Sequence, residues 1–469
     1  MKLGLVSLGC DKNTVDSERL LSALQRGGAE HTRDLAEADV ILVNTCGFID
    51  AAKEESIETL LQMGELKKDG RCRALVAVGC LVERHREELG AALPEVDLFV
   101  GLKDMEGLVP ELERLGLLSE GAAPHPGDRV PLTDRRHVRY LKISEGCDHG
   151  CAFCAIPLWR GKHRSFDADR LVAEARRLEA QGAVEVNLVA QDLAHYGRDL
   201  ADGGDIAALL DRLLDETDIP WFRLLYIYSA GLREPLVELM ANERRIVPYL
   251  DMPIQHASDD VLRRMRRPER QHRLREKIAW LRASIPDLTL RTTILVGFPG
   301  ETDAEFRDLL DFMEEVEFDR LGAFAFSPQD GTRAMALQQH FLPDGLGRER
   351  LEELLEVQRG ISADRLAATV GRRVEALVDE GGETPVARTW GQADDVDGVT
   401  LLEAEVALQP GTIVDATVVE ADDYDLRAEV RGIVRPATVG SSAALRAPRA
   451  RPGRSLPVLP MGLEAVWGR

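Results

Sequence analysis

The 469-residue chain has a net charge of −22, with 44% hydrophobic and 30% charged residues, a composition typical of a soluble protein of about two to four domains. A protein with this much negative charge repels nucleic acid, and any RNA contact must therefore be confined to a local basic patch. A basic partner would be attracted instead. No apolar run is long enough to span a membrane and no signal peptide is expected, so the sequence predicts a cytoplasmic protein.

Residues 1–118 are predicted to form an α/β domain with a doubly wound parallel sheet. Continuous apolar runs, typical of buried parallel strands, alternate there with stretches of helical spacing. The predicted strands cover residues 3–8, 40–43 and 74–78, and the predicted helices cover 15–24 and 51–67.

A cysteine follows the end of each predicted strand, at Cys10, Cys46 and Cys80. Because the carboxyl ends of parallel strands lie at one edge of an open sheet, where ligands bind, we expect the three thiols to converge. Three small buried cysteines are the alternative, since free cysteine is commonly buried. Cys72 does not share this position and is interpreted as structural. The total of seven cysteines is odd, which favours metal ligation over a disulfide framework.

Residues 119–136 are rich in glycine, proline and charge, which indicates a linker. Residues 137–368 are then predicted to form an incomplete TIM-like barrel of six strand–helix units, open on one side. The predicted strands are 138–143, 184–190, 222–227, 247–252, 288–296 and 321–326, and the main helices are 167–180, 206–214, 232–240, 273–283, 304–314 and 348–368.

The loop after the first barrel strand holds Cys147, Cys151 and Cys154 within eight residues. An iron–sulfur cube needs one ligand per iron, so three cysteines leave one iron open to bind a substrate. A zinc site, or a disulfide with one thiol left over, is the alternative. The loop lies at the carboxyl end of a barrel strand, where catalytic groups are found, and this position favours a catalytic cluster.

Residues 369–434 change to short alternating runs separated by glycine turns, which predicts a small β-barrel. Between residues 367 and 431 there are 15 acidic and 5 basic side chains, a net charge of −10. Residues 435–469 are rich in alanine, proline and arginine and are predicted to be a disordered tail. A basic arm that lies on the acidic barrel or touches ribosomal RNA is the alternative.

Several stretches resemble the methylthiotransferases, a family of radical S-adenosylmethionine (SAM) enzymes with two [4Fe-4S] clusters. The resemblance extends from residue 1 to about residue 432. It is carried by residues 7–18, 43–48, 78–81, 143–157, 160–165, 251–258 and 296–301.

This resemblance implies two cluster sites and labels the small barrel a TRAM domain. Two SAM molecules would be used per turnover, one as methyl donor and one as radical source, together with an electron donor and a sulfur donor. The implied ligands are Cys10, Cys46 and Cys80 for the auxiliary cluster, and Cys147, Cys151 and Cys154 for the SAM-binding cluster.

One branch of the family modifies an isopentenyl-adenosine of tRNA, and the other modifies the β-carbon of an aspartate in small-subunit ribosomal protein 12. Residues 8–13, 326–332 and 395–398 are similar to the protein-modifying branch, although Asp11 replaces a proline. Residues 191–197 depart from the family pattern, since Leu193 and Ala194 replace two threonines.

Charge also favours the ribosomal protein as partner. Binding tRNA requires that Lys and Arg neutralise phosphates, which makes tRNA an unfavourable partner for an acidic barrel, whereas such a barrel complements a basic protein. The alternative functions are a tRNA isopentenyl-adenosine methylthiotransferase and a non-catalytic zinc or iron–sulfur RNA-binding adaptor.

Basic residues after the cysteine loop are candidates for carboxylate binding. Arg160 and Arg164, with Lys162 between them, are predicted to hold the carboxylate of SAM or of the substrate aspartate, since arginine pairs with carboxylates through two hydrogen bonds. A solvated basic face is the alternative.

The predicted SAM contacts are Phe153, Gln191 and Gly297. Phe153 would pack on the adenine, with simple core packing as the alternative, and Gly297 would let the backbone approach SAM. His149 is predicted to be exposed rather than ligating, and His256 is a candidate polar site residue.

Overall fold

The computed structural model describes residues 1–118, 129–201 and 203–437. Most of the predicted linker, residues 119–128, and most of the predicted tail, residues 438–469, lie outside the described residues. Within the described ranges, no helix combines the length and the apolar character that crossing a membrane requires.

The amino-terminal region is a five-stranded parallel sheet, as the sequence predicted, with helices on its faces. Its two longest buried strands, Val40–Thr45 and Ala74–Gly79, are buried at every position, because helices cover both faces of a doubly wound sheet. In sheet order the strands are Glu30–His31, Lys2–Ser7, Val40–Thr45, Ala74–Gly79 and Leu98–Val100, and the helices are Asp11–Arg26, Asp50–Asp69, Cys80–Ala92 and Leu108–Arg114.

The central region is a curved sheet of six parallel strands, each paired with its neighbours in the sequence. Its first and last strands do not pair with each other, so the barrel is open on one side, as predicted. The strands are Val138–Lys142, Glu185–Val189, Trp221–Leu224, Ile246–Asp251, Thr289–Val296 and Arg320–Ala325.

Helices cover the outer face of this barrel and bury a large apolar core against it. The helix Leu346–Ala367 follows the last strand and packs beside it. The helices are Ile156–Trp159, Ala168–Ala180, Ile206–Glu216, Glu234–Asn242, Asp259–Arg264, Gln271–Ser284, Asp303–Val316 and Leu346–Ala367, with 3₁₀ turns at Leu193–His195, Ser229–Gly231 and Arg333–His340. The amino-terminal region has 3₁₀ turns at Leu35–Glu37 and Leu102–Gly107.

The carboxyl-terminal region is a closed barrel of five strands, again as predicted. It packs on the amino-terminal ends of the larger barrel's strands, where Leu377 and Ile413 meet Val184 and Trp221 in one apolar cluster. The strands are Arg373–Glu380, Val386–Thr389, Thr400–Glu403, Ile413–Ala421 and Leu426–Arg435.

Part of the small barrel's acidity is buried at this junction. Arg388 lies between Glu185 of the larger barrel and Asp379 of its own, at 2.8 and 2.7 Å. The hydroxyl of Tyr249 donates to Asp397 at 2.7 Å. Asp379, Asp394 and Asp397 are all buried, so the excess of acidic residues counted from the sequence is larger than the excess on the surface.

A second buried ion network joins the amino-terminal region to the larger barrel. Arg129 donates to Glu18 at 2.8 Å and to Glu174 at 3.2 Å, and Arg139 donates to Glu18 at 2.9 Å. Only 4% of Arg129 is exposed. The end of the predicted linker that the structure describes is therefore anchored between the two regions.

Candidate cluster site

Three cysteines from distant parts of the sequence meet at the carboxyl edge of the amino-terminal sheet. Cys10 precedes the helix Asp11–Arg26, Cys46 follows the strand Val40–Thr45, and Cys80 begins the helix Cys80–Ala92. We call Cys10, Cys46 and Cys80 the strand triad. Gly9 permits this approach: its φ is +87°, and a Cβ there would lie 3.0 Å from the Cys46 sulfur.

Burial differs within the strand triad. Cys46 and Cys80 are buried, whereas Cys10 is exposed. Burial, followed by the charges of Cys10 and Cys80, raises the pKa of Cys46 to about 12. Each thiol is thus near enough to affect the others, and Cys10 is the member that faces outward.

Cys147, Cys151 and Cys154, which we call the loop triad, lie in a loop clamped at its base. The strands Ser144–Glu145 and Arg164–Ser165 pair antiparallel, and the Cys147 amide donates to the Gly161 carbonyl at 3.1 Å. Burial, with the charges of neighbouring thiols among the further causes, raises the pKa of Cys147 to about 11 and that of Cys154 to about 12.

Sulfur spacing argues against a single zinc ion in either triad. Zinc–sulfur bonds of ~2.3 Å in a tetrahedral site place the sulfurs within roughly 4 Å of one another. Among the described residues, the one group of three possible ligands whose atoms all lie within 4.8 Å of each other is His149, Asp192 and His195. Neither triad is such a group, so in neither do all three sulfurs lie within 4.8 Å of one another.

The two triads lie at one junction between the amino-terminal region and the barrel. Cys80 packs against Ala155, which follows the last cysteine of the loop triad, and against Trp159. Arg160 donates to the Cys80 sulfur at 3.4 Å and to Glu145, just before the loop, at 2.9 Å. The cysteine loop therefore forms part of the surroundings of the strand triad.

The predicted role of Arg160 as a free carboxylate ligand does not match its surroundings. Its guanidinium already contacts Glu145, Asp16 and Asn13, at 2.9, 3.5 and 2.6 Å, and 4% of its side chain is exposed. Arg164 is exposed and lies over the ring of Phe166, 6.0 Å from its centroid. The fork of Arg160 is occupied by acids of the chain itself, and Arg164 fits the alternative of a solvated basic face.

The three predicted SAM contacts have different surroundings. Phe153 is half-buried and packs on an apolar cluster that includes Phe298. The amide nitrogen of Gln191 donates to Glu145 at 3.1 Å, but its buried oxygen has no hydrogen-bond partner among the described residues. That oxygen is available to a ligand N–H. Gly297 has a φ of +73°, and a Cβ there would lie 3.0 Å from Gly347, so the close approach at Gly297 is to the last barrel helix.

The prediction that His149 is exposed is wrong. Its ring is half-buried, stacks on Tyr228 with centroids 3.9 Å apart, and donates through Nε2 to Asp192 at 2.8 Å. His195 bonds the same carboxylate oxygen at 2.5 Å. Burial alone would raise the pKa of Asp192, but these hydrogen bonds hold that pKa well below its usual range.

Hydrogen bonding explains this group without a metal ion. Arg198 donates to Nε2 of His195 at 3.0 Å, so Nδ1 of the neutral ring carries the hydrogen and donates to Asp192. A metal ion bound to Nδ1 of His195 would leave the hydrogen of the neutral ring on Nε2. That N–H would then face the N–H of Arg198, and two donors cannot hydrogen-bond to each other. His149, Asp192 and His195 therefore form a hydrogen-bonded support beneath the cysteine loop. His256 is fully buried and accepts from the Ser258 amide at 3.0 Å.

Sequence reasoning missed Arg267. This fully charged side chain is buried, donates to the Cys151 sulfur at 3.8 Å, pairs with Glu269 at 2.8 Å and lies over the Tyr228 ring. Arg267 and Cys151 are separated by 116 positions, so no local pattern joins them. Each triad thus has one buried arginine that donates to one of its sulfurs.

Three family models match the chain. They are the uncharacterized protein family UPF0004 over residues 2–101, the radical SAM superfamily over residues 141–313 and the TRAM domain over residues 370–430. The three matches correspond in order to the sheet that carries the strand triad, the barrel that carries the loop triad, and the small closed barrel.

Curated relatives match nearly the whole chain. Ribosomal protein uS12 methylthiotransferase RimO of Anaeromyxobacter sp. (strain K) is 44% identical, covering 96% of this chain and 97% of the relative. The protein of the same name from Desulforudis audaxviator is 45% identical, covering 92% and 97%, and that from Geobacter sulfurreducens is 41% identical, covering 92% and 98%.

Solved structures share the fold at low sequence identity. The radical SAM methyltransferase TsrM from Kitasatospora setae superposes with a TM-score of 0.53 at 13% identity, covering 77% of this chain and 89% of that one. The cobalamin-dependent SAM radical enzyme OxsB gives a TM-score of 0.50 at 13% identity, covering 75% and 56%. These similarities concern the arrangement of the sheet and barrel.

Proposed function

The chain belongs to the RimO family of ribosomal protein uS12 methylthiotransferases, and on that premise we propose which of its residues bind the cofactors and the substrate. It is a radical SAM enzyme that transfers a methylthio group to uS12, with SAM and two [4Fe-4S] clusters as cofactors. The finer proposal is that the modified atom is the β-carbon of an aspartate, and that each triad holds one cluster.

The donor sets fit this assignment. Thiolates are the ligands that iron–sulfur clusters use, and three of them leave one iron open. When bound, the clusters and SAM supply the one-electron chemistry needed to replace an unactivated C–H bond, which no side chain can supply. The chain itself contributes ligands, orientation and electrostatics.

Several residues of the chain act on the loop triad. Arg267 places a buried positive charge beside the Cys151 sulfur, and the ring of His149, held by Asp192 and Tyr228, fixes the middle of the loop. The unpaired oxygen of Gln191 would accept a hydrogen bond from the amino group of SAM. Neighbouring residues of this kind orient metal ligands and tune their electronic properties.

The observation that carries the proposal is the contact between the two sites. Cys80 of the strand triad packs against Ala155, directly after Cys154 of the loop triad. Transfer of a group between two reagents becomes fast when both are held in contact with one substrate. A junction lined by both triads would present one substrate carbon to both sites.

Mass spectrometry of uS12 tests the activity and the modified atom together. Enzyme with reconstituted clusters, SAM and a reductant should add one methylthio group, and fragmentation should locate it on an aspartate. Cys46→Ala and Cys151→Ala serve as inactive controls. A modified tRNA with an unmodified uS12 would contradict the proposal.

We further infer that the outer face of the small barrel binds uS12 rather than tRNA. After the buried acids are set aside, exposed acids still outnumber exposed basic residues there, which favours a basic protein and disfavours phosphates. The exposed acids are Glu375, Glu383, Asp395, Glu403, Glu405, Glu420, Asp422 and Asp425, and the exposed basic residues are Arg372, Arg373, Arg427 and Arg431.

Charge reversal tests this surface. Glu403→Lys with Glu405→Lys should weaken uS12 binding several-fold, and the loss should shrink as salt is raised. The matched control is Glu352→Lys with Glu353→Lys, which makes the same charge change on an exposed stretch of the helix Leu346–Ala367. Equal losses in both variants, or tight tRNA binding with a steep salt dependence, would show that the barrel face is not the docking surface.

A further inference from the structure

The junction between the strand triad and the barrel contains several buried cations, and most have acidic partners. A buried charge is stable only when it is paired and hydrogen-bonded. The pairs are Lys142 with Asp16 and Glu145, Arg160 with Glu145 and Asp16, Arg267 with Glu269, and Arg291 with Asp251.

Lys12 differs from these cations. It is only 8% exposed, and its ammonium lies over the ring of Tyr226, whose centroid is 3.6 Å from Nζ. The carboxyl of the adjacent Asp11 is close enough to interact with this charge but does not form an ion pair with it. Among the described residues, no carboxylate forms an ion pair with Lys12 and no acceptor takes a hydrogen bond from its ammonium. A cation–π contact uses none of the three N–H donors of the ammonium, so Nζ can donate to a ligand.

The surface beneath Lys12 is held rigidly. Tyr226 follows the barrel strand Trp221–Leu224, at the end where barrel enzymes bind substrates. Its φ is +67°, a strained conformation for a tyrosine. The amide of Tyr226 donates to Asp251 at 3.2 Å, and its hydroxyl lies 3.5 Å from Asp11. The ring, and the ammonium above it, are therefore fixed in position.

Lys12 also lies beside the strand triad. It is two residues from Cys10, the exposed member of the strand triad. In aspartate the carboxylate is bonded directly to the β-carbon, so a substrate whose β-carbon reaches this site must place its carboxylate within one bond of it. That carboxylate is an anion, and when it enters the site and loses its hydrating water it needs a cation to pair with.

We propose that Lys12 binds the side-chain carboxylate of the substrate aspartate and thereby selects aspartate over asparagine. This proposal rests on the proposed function, because it takes an aspartate of uS12 as substrate. The methionine carboxylate of SAM has the same chemistry. We favour the carboxylate of the substrate over that of SAM, because Lys12 lies on the strand triad's side of the junction. The group proposed to bind SAM, the unpaired Gln191 oxygen, lies instead beside Glu145 at the cysteine loop.

Binding of paired peptides tests the proposal. Peptides carrying the modified segment of uS12, with aspartate or with asparagine at the target position, are titrated against cluster-loaded enzyme without reductant. The unaltered enzyme should bind the aspartate peptide about tenfold more tightly, as expected for a charge-assisted hydrogen bond. Lys12→Gln should abolish that preference, and Lys12→Arg should retain most of it.

Two controls keep the result interpretable. Lys68→Gln removes an exposed lysine of the helix Asp50–Asp69 and should leave the preference unchanged. Iron content and melting temperature of Lys12→Gln should match those of the unaltered enzyme, which excludes loss of the fold or of a cluster as the cause.

The possible outcomes separate the sources of the carboxylate. An aspartate preference that survives in Lys12→Gln overturns the proposal. So does weaker SAM binding in Lys12→Gln, measured without peptide, with peptide affinity unchanged, because the carboxylate is then that of SAM. If the unaltered enzyme binds neither peptide and leaves uS12 unmodified, the proposed function itself fails.

Discussion

The loop triad and the strand triad each present three thiols, but from different kinds of structure. The loop triad lies within one short segment clamped by a two-stranded ribbon. The strand triad exists only after three strands have paired and Gly9 has allowed the Cys46 sulfur to approach its backbone. Ligands from one loop keep their spacing when the surrounding sheet is disturbed, whereas ligands from three strand ends depend on the whole sheet and on its docking.

Removing one thiol from each triad gives the largest expected effect. Cys151→Ala should abolish both SAM cleavage and uS12 modification, whereas Cys46→Ala should abolish modification alone. Each variant should lose about four iron atoms per chain, since each cube holds four. Iron analysis and chromatographic detection of 5′-deoxyadenosine check both results. Retained modification in Cys46→Ala would remove the strand triad from the reaction.

Disturbing the docking network should affect the strand triad more than the loop triad. Glu18→Gln leaves buried Arg139 without its paired carboxylate and Arg129 with only Glu174, which should destabilise the protein by about 3–5 kcal/mol. Burial alone would raise the pKa of Glu18, but the charges of Arg129 and Arg139 outweigh burial and lower it. The stability that Glu18 contributes is therefore present above the unfolded-state pKa of about 4.3 and is lost as the pH falls below it.

Thermal unfolding measured from pH 7 to pH 3 checks this prediction. The control is Glu37→Gln, whose pair with Lys2 lies on the surface and should contribute little to stability because water and salt screen it. Equal destabilisation by both variants would contradict the role given to the buried network. SAM cleavage that persists in Glu18→Gln while uS12 modification falls would sharpen the contrast between the triads.

Thiol reactivity in cluster-free protein should distinguish exposed from buried members. Cys10 should be alkylated first at pH 8, because it is the exposed cysteine. Burial raises the pKa of Cys46 to about 12, and only the thiolate reacts. Alkylation of Cys46 should therefore rise about tenfold per pH unit, or about a hundredfold from pH 8 to pH 10. Peptide mass mapping measures these rates, and simultaneous alkylation of all six thiols would contradict the structure.

The two arginines beside the sulfurs should have the smallest effects, each confined to one triad. Arg267→Gln and Arg160→Gln each remove a positive charge and a hydrogen bond from one sulfur, which should lower the reduction potential of that cluster. The expected shift in reduction potential is on the order of 60 mV, which for a one-electron reduction corresponds to a tenfold change in the equilibrium constant. Redox titration followed by electron paramagnetic resonance would resolve the two clusters, and shifts shared equally by both would contradict separate roles.

The sequence predicted the elements that carry strong local patterns. Fully apolar strands such as Val40–Thr45 and Ala74–Gly79, and the cysteines after them, could be placed because strand ends in a parallel sheet share an edge. The strands Glu30–His31 and Leu98–Val100 were missed because two or three residues form no periodic pattern.

Side-chain partnerships were much harder to predict. Arg160 stands in a basic segment that suggested a free carboxylate ligand, but two of its partners, Asn13 and Asp16, are 147 and 144 positions away. His149 was expected in solvent because nothing near it in the sequence indicates Asp192 or Tyr228. Such pairs form only when distant strands meet, so the charge of a residue is visible in the sequence and its partner is not.

The buried contacts of the small barrel have a consequence for how the chain unfolds. Three separate family matches suggest three detachable units. Yet Arg388 and Asp397 of the small barrel are partners of Glu185 and Tyr249 inside the larger one. A chain that ends before residue 369 would lack these partners of Glu185 and Tyr249 and would expose the apolar cluster that the two barrels share. The barrel and its small neighbour should therefore melt together in a single cooperative transition, and the minimal enzyme cannot be obtained by trimming at the boundary between them.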